Sequence, residues 1–160
     1  MALPQLIAED VQELDRLLNE LVARSEASAA MIIDKAGFLI TQAGDCEQFD
    51  STTLSALAAG SFAATQGMAS VVNEPNFNSV YQQGEKFSLL VQNIEEDTLL
   101  MVVFAAHVSV GAVKYFLNST APKVALQFLS ARERDPDATL DLSRMNLEDS
   151  SEFFRKVAGG

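Results

Sequence analysis

Cysteine and histidine are nearly missing from this chain of 160 residues, where Cys46 and His107 stand alone. One cysteine excludes an intrachain disulfide and a zinc cluster. Cys46 lies between Asp45 and Glu47, whose charges disfavour the thiolate that a nucleophile needs. Cations are scarce too: 11 Lys and Arg against 22 Asp and Glu leave a net charge of −11, and they are scattered from Arg16 to Lys156 without a cluster. A phosphate backbone would meet repulsion instead of releasing counterions, so nucleic acid is not an expected partner. No apolar run approaches the roughly 18 residues of a membrane span, and Met1-Ala2-Leu3-Pro4 lacks the cationic start of a secretory signal. The expectation is a cytoplasmic protein with no membrane insertion. Glycine-rich phosphate loops and metal-ligand clusters are missing as well, so no catalytic residue, metal or cofactor is expected.

What is there suits one domain and a tail. A hydrophobic content of 48% is enough for a core at this length. Residues 1–131 read as the domain; residues 132–160 read as a charged, flexible linker followed by a short amphipathic helix from Leu147 to Val157. Within the domain, Ile7, Val11, Leu14, Leu18 and Leu21 keep helical spacing, with Glu9, Asp10, Glu13, Asp15 and Glu20 filling the other side. Ala29 to Ile33 and Phe38 to Gln42 read as a hairpin around Asp34-Lys35-Ala36-Gly37. Three strands follow at Ser79 to Gln82, Phe87 to Gln92 and Thr98 to Ala106; the last is apolar without alternation, as a strand covered on both faces requires. From Ser109, the residues Val110, Val113, Leu117, Ala121, Val124 and Phe128 return to helical spacing, with a kink expected at Pro122.

Between the hairpin and the three strands lies the stretch around which the chain is organised, Asp50 to Asn73. It reads as a helix capped by Asp50 or Ser51. Leu54, Leu57, Ser61, Ala64, Met68 and Val71 form the stripe expected to lie on a sheet. Ala56, Gly60, Ala63 and Gly67 face the other way, with Ala59 and Phe62 between them and no charge. Each mid-helix glycine costs about 0.5–1 kcal/mol against alanine, so a compensating contact is expected there. This side reads as the place where a second helix or a second protein lies down. The element order, α-β-β-α-β-β-β-α plus a C-terminal tail helix, gives an α+β fold: a helix-sheet-helix sandwich on a five-stranded antiparallel sheet.

Ile32-Ile33-Asp34-Lys35-Ala36-Gly37, Leu57-Ala58-Ala59-Gly60, Ala63-Ala64-Thr65, Gln83-Gly84-Glu85, Val102-Val103-Phe104 and Ser109-Val110-Gly111-Ala112-Val113-Lys114 resemble, in order, the roadblock family, and within it the bacterial MglB type. The resemblance covers about residues 5 to 130 and no single motif in it is decisive. It implies a roadblock/profilin-like fold and a homodimer with paired middle helices and sheets joined edge to edge. It further implies a non-catalytic regulator of an MglA-type Ras-like small GTPase, which binds that helix face and stimulates GTP hydrolysis without an arginine finger, in cell polarity or motility. The chain agrees in having no Arg or Lys between Lys35 and Lys86. Ala56, Ala59, Gly60, Ala63 and Gly67 are the residues expected on the dimer and GTPase face, and Leu147, Phe153 and Phe154 those of a tail contact. Ser61, Ala105 and Pro122 depart from the usual pattern and bear on the choice of GTPase. The rival reading is a scaffold or small-ligand sensor dimer without effect on hydrolysis.

Overall fold

In the structure, a computed structural model, the backbone is described for residues 3–158 and the side chains for residues 3–134. Helix α1 (Ala8–Ser25) is followed by strands β1 (Ala29–Asp34) and β2 (Leu39–Gly44), helix α2 (Ser51–Val71), strands β3 (Ser79–Gln83), β4 (Phe87–Glu95) and β5 (Thr98–Ala105), and helix α3 (Val110–Ala158). The five strands pair antiparallel in the order β2-β1-β5-β4-β3, which puts β5 at the centre and leaves β2 and β3 as edges.

Alternation along the central strands divides the core in two. Ala30, Ile32, Leu90, Leu100, Val102 and Phe104 point to the layer built by Leu14, Leu18 and Leu21 of α1 and Val113, Leu117, Val124 and Phe128 of α3. Ala29, Met31, Ile33, Val91, Leu99, Met101 and Val103 point to α2. Every residue of β5 from Thr98 to Phe104 is buried, because helices cover both of its faces. The helix-sheet-helix sandwich is therefore the fold of this chain.

Three expectations change. In α1, Asp10 is not on the solvent side: it is only 1% exposed. Its carboxylate accepts from the Ile7 backbone N–H at 2.9 Å, from Gln127 Nε2 at 2.7 Å and from Arg134. Burial pushes this carboxyl up, but the Ile7 amide, Arg134 and Gln127 together outweigh it and hold Asp10 below its ordinary value. Second, α3 continues through the stretch read as a linker. Charge does not break a helix, since Arg and Glu are good helix formers, and Arg132 is tied to Glu95 at 2.9 and 3.0 Å and to Asp97 at 3.3 Å. Pro122 removes one backbone donor without ending the helix. The third change concerns the face of α2.

Candidate functional site: the outer face of α2

Helix α2 opens as the sequence requires, with Asp50 accepting from the Thr53 N–H at 3.1 Å and from Thr53 Oγ1 at 2.7 Å. It ends at Val71, ahead of Asn73 with its positive φ of 57° and of Pro75. Among its 21 residues there is no charge.

Its buried stripe is Ser55, Ala58, Ala59, Phe62, Thr65 and Ala69. The expected stripe was about a quarter-turn out of phase. Leu54 and Ser61 lie at its margin, but Leu57 is 65% exposed, Met68 is 58% exposed, and Ala64 and Val71 are exposed as well. Small residues let the helix come close to the sheet, and the hydroxyls that turn inward are satisfied within the helix: Ser55 Oγ donates to the Ser51 carbonyl at 2.7 Å and Thr65 Oγ1 to the Ser61 carbonyl at 3.0 Å. Polar letters therefore hid the true core side.

Of the expected contact residues, Ala56, Gly60, Ala63 and Gly67 are exposed together on the outer face, and a Cβ added at Gly60 or Gly67 would meet nothing within 4 Å. Ala59 is the exception: at 5% exposure it is buried within its own chain and leaves the candidate surface. Phe62, placed beside it in the reading, is buried too. Leu57, Met68 and Val71 take their places, so the outer face is both bare of charge and more apolar than the sequence reading held. The tail residues Leu147, Phe153 and Phe154 lie outside the described side chains.

Two borders frame this face. Towards β3 runs a groove of about 280 Å³ lined by Leu54, Leu57, Ala58, Ser61, Gln82, Leu89, Val91 and Met101. Opposite, the β1–β2 turn leans on the helix. Gly37 has a φ of +103°, and a Cβ there would stand 3.1 Å from Ala56 Cα, so this turn requires glycine for conformation and for approach. The Cys46 thiolate is disfavoured: burial and then Asp45 raise its thiol pKa, and Sγ donates to the Ala43 carbonyl at 3.3 Å. Among the described residues no group of three His, Cys, Asp or Glu is placed to hold a metal, and no helix is long and apolar enough to cross a membrane.

Residues 13–104, which carry α1 from its middle, the whole sheet and α2, match the model of the Roadblock/LC7 domain. The chain belongs to that family. Three solved roadblock structures show the extent of the likeness. MglB of Myxococcus xanthus has 27% identity and a TM-score of 0.74 over 79% of this chain and 96% of its own. The gliding protein MglB of Thermus thermophilus has 27% identity and a TM-score of 0.72 over 81% and 97%. An MglB described with a tetrameric arrangement has 28% identity and a TM-score of 0.73 over 81% and 97%. Among curated proteins none matches the sequence. This roadblock chain is thus similar to MglB over most of its length.

Proposed function

We propose that this roadblock protein is a non-catalytic regulator that forms a homodimer, binds an MglA-type Ras-like small GTPase and stimulates its GTP hydrolysis. The observation that carries the reading is the outer face of α2. A solvated helix face is normally filled with Glu, Lys and Arg, yet here Leu57, Met68 and Val71 stand exposed beside two open glycines. Glycine and alanine admit a neighbouring backbone, and the large exposed apolar residues supply area to bury against a second copy. The likeness to MglB over most of the chain supports the same reading.

No cation lies within α2, so stimulation acts by ordering the GTPase's own catalytic groups, with no side chain of α2 placed beside the transferring phosphate. A turnover assay tests this. Adding the protein to the GTP-loaded MglA-type GTPase is expected to raise hydrolysis at least about tenfold, within the range such partners supply. Binding without any change in turnover would favour the scaffold, and no binding would refute the reading.

A further inference from the structure

The β1–β2 turn, which meets the outer face of α2 at Ala56, brings a cation beside the helix. Lys35, in the β1–β2 turn, is exposed and carries its Nζ to 5.8 Å from the centre of the Phe62 ring. It is the last cation before Lys86, so it is the only positive group that the hairpin and α2 together bring to this side. Its position is built. The Lys35 N–H donates to the Asp97 carbonyl at 2.9 Å, and Gly37 N–H to the Asp34 carbonyl at 3.0 Å. The Asp34 carboxylate accepts from the Phe38 N–H at 3.0 Å, and that of Asp97 takes Arg132 at 3.3 Å. Among the described residues the Lys35 ammonium makes no ion pair.

A lone ammonium beside an apolar face is cheap in water and costly once a partner covers it, because it loses hydration and gains nothing unless an acid comes with the partner. We infer that Lys35 is a specificity-determining residue of the α2 face, selecting a GTPase that presents a carboxylate beside it. This rests on the reading of α2 as the GTPase-binding face. The same charge in a chain of net −11 favours approach of that acidic group locally where the rest of the surface repels it.

The test uses the full chain and the GTP-loaded MglA-type GTPase, reading the protein concentration that gives half-maximal stimulation. Lys35→Glu is expected to raise it about tenfold or more, and Lys35→Met about threefold to tenfold, in the range of charge changes at interfaces. Lys35→Arg should stay within about twofold, because it restores the charge. Added salt should weaken the wild type more than Lys35→Met. A Lys35→Glu protein indistinguishable from wild type, in a system where wild type stimulates, overturns this inference and leaves the function reading standing. Loss of dimer mass or of thermal stability in Lys35→Glu overturns it as well, by making the residue structural. A wild type without effect on the GTPase sinks both.

Discussion

Gly67→Arg is expected to abolish stimulation of the GTPase, raising the half-effective concentration by well over tenfold, while the protein stays folded. The two halves of that outcome have separate causes. Nothing stands within 4 Å of a Cβ at Gly67, so the new side chain enters solvent and the fold has no clash to relieve. Arginine is also a better helix former than glycine, and the thermal midpoint should hold or rise, in line with about 0.5–1 kcal/mol of propensity. A partner lying on Gly60 and Gly67, however, meets a long charged side chain where it found bare backbone. Ala63→Arg should act in the same direction. Thermal unfolding and the turnover assay on one sample check both halves, and stimulation unchanged in both variants would remove these residues from the contact.

The second large effect concerns stability. Asp10→Ala is expected to cost about 1–3 kcal/mol, because it takes one buried acceptor from three donors, the Ile7 amide, Gln127 and Arg134. Asp10 also predicts how that loss changes with pH. Its folded pKa is depressed, so its contribution is complete above the unfolded value near about 4 and is lost as pH falls through the lower folded value. The gap between wild type and Asp10→Ala in urea unfolding should therefore be constant near neutrality and narrow only below about pH 4. A gap already closing at pH 6 would contradict the network described around Asp10.

These two sites also mark where the sequence was readable and where it was not. The strands were legible because β1, β4 and β5 are apolar runs bounded by turn residues, and the two-sided burial of β5 followed from its lack of alternation. The α3 face was legible because large residues mark it: Val113, Leu117, Val124 and Phe128 are all buried. In α2 the rule that large means buried fails. Ser55, Ala58 and Ala59 are buried while Leu57 and Met68 are exposed, so size points to the wrong phase. The line Ser55, Ala58, Phe62, Thr65, Ala69 has steps of three and four and could have been chosen, had inward hydroxyls been allowed to bond the preceding turn. Asp10 was misread for a different reason. Its partners Gln127 and Arg134 are more than a hundred residues away, and no local pattern announces them.

The outer face of α2 carries large apolar side chains beside its glycines and alanines. A monomer would leave Leu57, Met68 and Val71 in water, Leu57 at the edge of the groove towards β3. Light scattering at micromolar concentration is the direct measurement. Twice the chain's 17.3 kDa, falling to one chain's mass in Leu57→Glu, is the result expected if this face is covered by a second copy. A wild-type mass of 17.3 kDa, unchanged when the GTP-loaded GTPase is added, would contradict it.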